Sequence, residues 1–338
     1  MTPPKRSRPP HPSPPRQKTA ALERKPDWIR MDLPSGERFA GIRGWLHERG
    51  LHTVCEEARC PNLGECWKGG TATIMVLGET CTRACRFCAV STGNPRGALD
   101  PDEPAKVAEA VGLMELRYVV LTSVDRDDLE DGGASHFAAC VRAIHEACPE
   151  VLVECLVPDF GGDRAAIRRL VEAGPQVFGH NLETVRRLSP SVRDRRCGYD
   201  LSLEVLEAAG AMRPGLVTKS SLMLGLGETE REIDEALADL RSAGVEVLTL
   251  GQYLRPSRRH LPVREYLTPA RFEALAERAR ALGFAYVAAG PMVRSSYKAA
   301  EFWLQSRLAG RNARPGLAPS FDPFGVPEVG TAYPKEKT

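Results

Sequence analysis

The stretch Thr73-Ile-Met-Val-Leu-Gly78, followed at once by Cys81-Thr-Arg-Ala-Cys85-Arg-Phe-Cys88, decides both the fold and the chemistry. The apolar run predicts a buried strand, and the three thiols then lie in the loop at its end. Thiolates are soft ligands that select zinc or iron–sulfur clusters. Because a fully ligated cluster uses four protein ligands, three thiols would leave one iron open to a small molecule. The alternative is a zinc knuckle completed by a distant fourth ligand.

A second thiol group precedes this strand, at Cys55, Cys60 and Cys66. Its C-x4-C-x5-C spacing again supplies three ligands. Two odd-numbered sets are hard to explain as disulfides, and six thiols exceed the need of one shared zinc ion. Two clusters therefore fit better. The four remaining cysteines are scattered, and we predict that they pack as small apolar side chains: Cys140, Cys148, Cys155 and Cys197.

Apolar runs alternate with helical periods through the middle of the chain, which is the βαβ pattern of a parallel sheet. Strands are predicted at 73–78, 118–122, 151–156, 176–180, 218–225, 245–251 and 284–288. Helices are predicted at 103–116, 135–148, 163–172, 201–210, 228–242 and 269–282. The fold class is α/β, as a partial TIM barrel of the (β/α)6 type, with a doubly wound open sheet as the alternative.

Four segments are predicted along the chain. Residues 1–26 are rich in Pro and Arg and are predicted to be a disordered tail, with a transit peptide as the less favoured reading. Residues 27–72 form an N-terminal extension that includes a helix-like stretch at 39–49. Residues 73–290 form the barrel, and 291–338 form a C-terminal segment with a loose Pro- and Gly-rich end.

Composition narrows the class of protein. The net charge is +2, with 42% hydrophobic and 27% charged residues, as in soluble globular proteins. This charge gives no case for nucleic-acid binding. No apolar run reaches the length of a membrane span, and the N-terminus lacks a secretion signal, so we expect a cytoplasmic protein without a membrane partner.

The two cysteine sets together resemble those of the lipoyl synthase family, within the radical S-adenosylmethionine (SAM) superfamily. The resemblance continues through five further stretches, in order along the chain: 119–133, 179–185, 218–228, 248–257 and 290–297, the last containing Arg294-Ser-Ser-Tyr297. It implies a radical SAM barrel whose N- and C-terminal extensions carry an auxiliary cluster.

By this resemblance, Cys81, Cys85 and Cys88 bind the 4Fe–4S cluster that cleaves SAM to methionine and a 5′-deoxyadenosyl radical. A second, auxiliary 4Fe–4S cluster would be held by Cys55, Cys60, Cys66 and the Ser296 hydroxyl. Its sulfides would be inserted at C6 and C8 of a protein-bound octanoyl-lysine to give lipoyl-lysine, with two SAM molecules consumed for each lipoyl group.

Contacts to SAM are expected from five further residues. Phe87 is the aromatic residue of the cysteine signature, and Asn181, Glu183 and Lys219 lie near predicted strand ends. Glu228 closes a stretch similar to the G-x-I-x-G-x-x-E strand of radical SAM barrels. Each polar residue could equally satisfy loop backbone. The charged run 125–128 is predicted to be a solvated loop, and His180 a hydrogen-bonded core residue.

The resemblance implies three protein partners: an octanoylated carrier domain (glycine cleavage H protein or a 2-oxoacid dehydrogenase E2), a flavodoxin or ferredoxin reductant, and an iron–sulfur carrier. Two other functions stay open from the residues alone. One is a radical SAM enzyme with another substrate, as in biotin synthase or the methylthiotransferases. The other is a non-enzymatic zinc-binding interaction module.

Overall fold

A computed structural model describes residues 25–29, 44–46, 48–53 and 71–295. Four of the predicted metal ligands lie outside the described residues: Cys55, Cys60, Cys66 and Ser296. Most of the predicted tail 1–26 and the chain after residue 295 also lie outside them. Within the helix predicted at 39–49, the described residues 44–46 and 48 are helical.

Ten strands and seven helices are described. The strands are β1 His52–Thr53, β2 Thr71–Val76, β3 Thr80–Cys81, β4 Ser91–Thr92, β5 Tyr118–Ser123, β6 Leu152–Leu156, β7 Val177–Gly179, β8 Val217–Leu224, β9 Val247–Gln252 and β10 Tyr286–Gly290. The helices are α1 Glu103–Leu113, α2 Ala134–Ala147, α3 Arg164–Glu172, α4 Ser189–Val192, α5 Tyr199–Met212, α6 Glu230–Ser242 and α7 Pro269–Ala281.

Eight strands form one sheet in the order β1-β2-β5-β6-β7-β8-β9-β10. From β2 onward neighbouring strands are parallel, and β1 alone pairs antiparallel with β2. The order follows the sequence without reversal, which excludes the doubly wound alternative. Among the described strands β10 pairs only with β9, so the sheet stays open. The fold is the predicted partial barrel, with a seventh parallel strand after the six βα units.

Strand side chains alternate between two faces, as the pleat requires. One face carries Tyr118, Val120, Val177, Val217 and Val247, which pack together inside the barrel. The other face packs under the helices in two larger apolar clusters. Because a parallel sheet has its carboxyl strand ends on one edge, the loops that follow the strands meet at one mouth.

All predicted long elements are present, with ends shifted by a few residues. Helix α6 begins at Glu230 rather than 228 because Thr229 caps it: its hydroxyl accepts from Glu232 N, and the Glu232 carboxylate accepts from Thr229 N in return. The two-residue strands and the four-residue α4 were not predicted, since such short pieces carry no periodic signal. Within the described parts of the chain, no helix is both long and apolar enough to cross a bilayer.

Candidate metal and cofactor site

A cavity of about 570 Å³ opens at the carboxyl ends of the strands. The side chains of Cys81, Cys85 and Cys88 all line it. None of the three is fully buried or in a disulfide. The structure thus brings the C-x3-C-x2-C thiols together at the mouth of the barrel, in the loop after β2, as the sequence predicted.

The turn between β2 and this loop is held from two sides. Leu77 has φ 71° and Gly78 φ 82°, a left-handed conformation that is unfavourable for leucine. Leu77 N donates to Glu103 Oε2 at 2.9 Å, and Arg126 Nη1 donates to Leu77 O at 3.0 Å. These contacts offset the backbone strain, and the turn sends the chain from the strand into the thiol loop.

Arg83, between the first two cysteines, anchors the loop. Its Nη1 and Nη2 donate to the Asp159 carboxylate at 2.6 and 2.8 Å, and its Nε and Nη2 donate to Asp127 at 3.1 and 2.8 Å. Asp125 lies 3.3 Å away as a third carboxylate. The guanidinium is almost fully buried. One planar fork therefore ties the thiol loop to the loops after β5 and β6.

The prediction of a solvated loop at 125–128 holds for Asp127, which is exposed, but is wrong for the other three residues, which are buried or half-buried. Arg126 is 2% exposed, and its guanidinium donates hydrogen bonds to the Asp128 carboxylate and to the carbonyls of Leu77 and Ala98. The Asp127 carboxylate accepts a hydrogen bond from Arg83. Burial raises the pKa of Asp125 to about 6, with Arg83 opposing. Alternating charges usually indicate a solvated face, and nothing local distinguishes this run from one.

The thiols lie in a low-dielectric site. Burial raises the pKa of Cys81 to about 12, with the nearby Asp125 adding to the effect, and burial also raises the pKa of Cys88. Without metal these thiols keep their protons at neutral pH, and cluster binding must release them. A bound metal cation deprotonates a coordinating thiol, whereas a free nucleophilic thiol needs a lowered pKa. The raised pKa values of Cys81 and Cys88 therefore favour metal ligands over free nucleophiles.

Cys197 also lines the cavity, which its prediction as a packing residue did not include. Arg83 Nη1 donates to the Cys197 sulfur at 3.3 Å. The neighbouring Cys85 thiol, then the positive Arg193 and Arg83, lower the pKa of Cys197 against the effect of burial. A fourth thiol, Cys197, therefore lies in the same cavity as a neighbour of Cys85.

Asn181 and Glu183 both line the cavity, as predicted from their place after β7. Asn181 Nδ2 donates to Glu183 Oε1 at 3.1 Å. Glu183 has φ 70°, and β8 holds it there: its N donates to Ser221 O, and Met223 N donates to its O. Burial raises the pKa of its carboxyl, opposed by Arg193. A half-buried carboxyl group on a strained backbone, facing a cavity, is a preset acceptor for hydrogen-bond donors of a ligand.

Two further residues fit a bound nucleoside. Phe87 lines the cavity and packs against the apolar cluster of Val192, Leu226 and Tyr253. Ser123 Oγ is buried at the end of β5, lines the cavity and has no hydrogen-bond partner among the described residues. Three soft donors, an aromatic face and an unpaired hydroxyl therefore suit a cluster with SAM.

Lys219 does not line the cavity, and its prediction as a SAM contact is wrong in position. It lies near the beginning of β8, in register with Gly179 and Val247. Its Nζ is 2.8 Å from both oxygens of the buried Glu154, to which Tyr118 Oη also donates. Lys219 lies near the beginning of the strand predicted at 218–225. β8 likewise continues for five residues beyond it, and Ser221 and Met223 reach the cavity instead.

Glu228 also lies away from the cavity lining. Its carboxylate accepts from the N–H groups of Gly225, Leu226 and Gly227 at 3.0, 3.0 and 3.2 Å, and so closes its own turn. Gly225 (φ 100°) must be glycine, since a Cβ there would lie 2.4 Å from Glu265 O. Glu228 therefore does not reach the cavity as predicted. Its side chain instead holds the conformation of the loop after β8.

The C-terminal segment crosses the mouth. Val293, Arg294 and Ser295 line the cavity, and Val293 O approaches Gly251 so closely that a Cβ on this glycine would lie 2.2 Å from it. Ser296 is outside the described residues, but its neighbour Ser295 is at the cavity. Lys25, near the end of the segment predicted as a disordered tail, also lines it. Described residues from both sides of the barrel in the sequence therefore reach the site.

Comparison with known proteins agrees with this geometry. Residues 75–240 match the family model of the radical SAM superfamily, and residues 11–60 match the N-terminal domain of lipoyl synthase. Lipoyl synthase of Halorhodospira halophila is 60% identical over 83% of this chain and 84% of its own length. That of Thermus thermophilus is 59% identical (83% and 87%), and mitochondrial lipoyl synthase of Branchiostoma floridae 53% (84% and 77%). The chain belongs to the lipoyl synthase family of the radical SAM superfamily.

Proposed function

We propose that this sulfurtransferase of the lipoyl synthase family inserts two sulfur atoms, at C6 and C8 of a protein-bound octanoyl-lysine, to give lipoyl-lysine. The observation that carries the proposal is the set of three thiols around one cavity at the strand ends. When bound there, a reduced 4Fe–4S cluster with SAM supplies a 5′-deoxyadenosyl radical that abstracts hydrogen from an unactivated C–H bond. The chain itself positions the reactants and excludes water.

Cys81, Cys85 and Cys88 would hold the SAM cluster. Arg83 fixes their loop through Asp127 and Asp159, so the three sulfurs are preset rather than gathered by the metal. Three protein ligands leave one coordination position for the amino and carboxyl groups of methionine in SAM.

Asn181, Glu183 and Phe87 would bind SAM, with Ser123 as a fourth contact. The Glu183 carboxylate is a hydrogen-bond acceptor, suited to an amino group or ribose hydroxyls, and its amide neighbour orients it. Phe87 offers an apolar face to the adenine or the sulfonium. The unpaired Ser123 hydroxyl gains a partner when a polar ligand enters.

Cys55, Cys60, Cys66 and Ser296 would hold the auxiliary 4Fe–4S cluster, whose sulfides are the atoms inserted. The support is family membership and the place of Ser295 at the cavity. A serine oxygen is a poorer ligand for iron than a thiolate. That weakness suits a cluster that must release an iron while it gives up its sulfur.

The substrate would be an octanoylated carrier domain of the glycine cleavage H protein or 2-oxoacid dehydrogenase E2 type. Such a carrier needs only a small, transient interface, because its acyl-lysine reaches into the cavity. The reductive step requires a flavodoxin or ferredoxin, and the consumed cluster requires an iron–sulfur carrier. We place the reaction in the cytoplasm.

An anaerobic assay tests this function. Reconstituted protein, SAM, dithionite and an octanoylated H-protein-type carrier should give two 5′-deoxyadenosines for each carrier that gains two sulfurs and loses two hydrogens, read by mass spectrometry. The triple variant Cys55→Ala/Cys60→Ala/Cys66→Ala is the matched control: it should still form 5′-deoxyadenosine but transfer no sulfur. If 5′-deoxyadenosine formation does not respond to the octanoyl chain, the proposed substrate is wrong.

A further inference from the structure

The thiol loop has two sides with different chemistry. Cys85, Phe87 and Cys88 line the cavity, whereas Arg86, between them, is exposed. Arg86 N donates to Val192 O and its Nη1 donates to Ser191 O, which places it beside the loop around α4. Reactants that enter the cavity therefore meet one side of this loop, and a molecule at the protein surface meets the other.

A second loop, 255–264, is bonded directly to the thiol loop. His260 Nε2 donates to the carbonyl of Cys88 at 2.9 Å, while its Nδ1 accepts from Ser257 Oγ. Leu261 N donates to Arg86 O. Whatever touches the surface of the 255–264 loop is thus separated from a proposed cluster ligand by one side chain and one hydrogen bond.

The outer surface of these loops is strongly basic. We define the arginine face as the exposed Arg86, Arg195, Arg258, Arg259 and Arg264. In segments 84–88, 191–196 and 255–264 the one acidic residue is Asp194, and its carboxylate is taken by Arg196 and by Ala84 N. Within the described part of the chain, no ion pair is recorded for any member of the arginine face.

The concentration of charge is notable in a chain whose net charge is only +2. Exposed arginines without a recorded ion pair also occur elsewhere on the described surface: Arg96, Arg117, Arg142, Arg164 and Arg168. The last four lie on elements that are not bonded to the thiol loop. A basic face left without counter-charges attracts an acidic partner and speeds its encounter. This face adjoins the thiol loop, because the 255–264 loop donates hydrogen bonds to the carbonyls of Arg86 and Cys88.

We propose that the arginine face is the docking surface for an acidic, one-electron-donating protein, which binds on the side of the thiol loop opposite the cavity. The proposal rests on the radical SAM function above. In the step, a flavodoxin hydroquinone loses one electron to the oxidised cluster and becomes the semiquinone. His260 and the Cys88 backbone lie between the two redox groups.

Binding of oxidised flavodoxin to the anaerobically reconstituted protein, measured by calorimetry at low salt, tests the surface without turnover. In Arg258→Glu/Arg259→Glu the dissociation constant should rise about tenfold or more, and added salt should remove the difference. The control Arg142→Glu/Arg168→Glu makes the same charge change on α2 and α3, at exposed arginines without a recorded ion pair, and should bind within about twofold of wild type.

Kinetics then separate this proposal from the proposed function. With reduced flavodoxin, Arg258→Glu/Arg259→Glu should form 5′-deoxyadenosine about tenfold more slowly at subsaturating donor. With dithionite its rate should equal that of wild type. Unchanged flavodoxin binding, an equal loss in the control, or an equal loss with dithionite would each overturn the docking surface. A raised KM for the octanoylated carrier with unchanged flavodoxin binding would also overturn it, by assigning the face to the substrate.

Discussion

Two ionic networks lie at different depths of the barrel: a buried pair between strands, which we call the barrel floor, and a partly exposed network at the mouth. At the barrel floor, Lys219 pairs with Glu154, and both come from strands whose backbones the sheet already fixes. At the barrel mouth, Arg83 joins Asp127 and Asp159, and all three come from loops without a ladder of their own. The floor pair therefore fills the core, whereas the mouth network determines where the thiols lie. The same chemistry serves stability at the floor and the site at the mouth.

The largest effect on stability is expected at the barrel floor. Lys219→Met leaves the Glu154 carboxylate buried without its cation, which should lower the apparent free energy of unfolding by about 3–5 kcal/mol. Urea unfolding under anaerobic conditions measures this loss.

The control is the double variant Glu154→Gln/Lys219→Met. It removes both charges and leaves a neutral amide for Tyr118, so it should recover most of the loss. Equal losses in the single and double variants would show that packing, rather than the unpaired charge, dominates at the floor.

Residues on strands could be placed from the sequence, whereas contacts between residues on separate loops could not. The apolar runs of β2 and β5 to β9 predict the barrel because these strands are almost continuously buried, and the cysteine spacing marks the thiol loop. Lys219 was misassigned because it lies near the beginning of the strand predicted at 218–225, whereas the cavity lies at the carboxyl ends of the strands. Arg83 and Asp159 were missed because they lie 76 positions apart and meet only in the fold. Asp127 was hidden in a run that reads as solvent-exposed.

Acid should destabilise the mouth through His180. Its Nδ1 donates to Val157 O and its Nε2 contacts Ser202 Oγ, and burial, with Arg193 nearby, lowers its pKa to about 4. Between pH 6.5 and 4, His180 is protonated in the unfolded chain but neutral in the folded chain. The free energy of unfolding therefore falls as the pH falls.

The loss from this one group should reach about 3 kcal/mol at most over that window. Comparison of urea midpoints of wild type and His180→Gln between pH 7 and 4.5 measures it, with the variant showing the flatter dependence. Parallel pH profiles would mean that His180 does not control acid stability.

At the mouth, Arg83→Lys should cost less stability than the floor variant, about 2 kcal/mol, but it should remove the cluster. A lysine keeps the charge and loses the fork that spans two carboxylates. Iron should fall by roughly four per chain after reconstitution. The control Arg169→Lys changes an exposed pair with Asp131 and should leave iron unchanged. Full iron content in Arg83→Lys would contradict the anchoring role.

The smallest effects compare two glycines. Gly251→Ala would push a Cβ into Val293 O, so it should cost about 1–3 kcal/mol and weaken SAM binding by displacing 291–295 from the mouth. Gly210→Ala in α5 meets only Thr218 Cγ2 at 3.5 Å and should stabilise the chain by about 0.5–1 kcal/mol. Urea unfolding and SAM titration measure both. If Gly251→Ala stabilised the protein, the close approach of Val293 O to Gly251 would not be required.

Iron and acid-labile sulfide per chain after anaerobic reconstitution test the central claim most directly. Wild type should hold roughly eight irons, and both Cys55→Ala/Cys60→Ala/Cys66→Ala and Cys81→Ala/Cys85→Ala/Cys88→Ala should hold roughly four. Only the first variant should still cleave SAM. Two independent clusters, one at the described mouth and one at the N-terminal thiols, predict this result. Roughly four irons in wild type, or no loss in the first variant, would contradict it and leave the reaction without its source of sulfur.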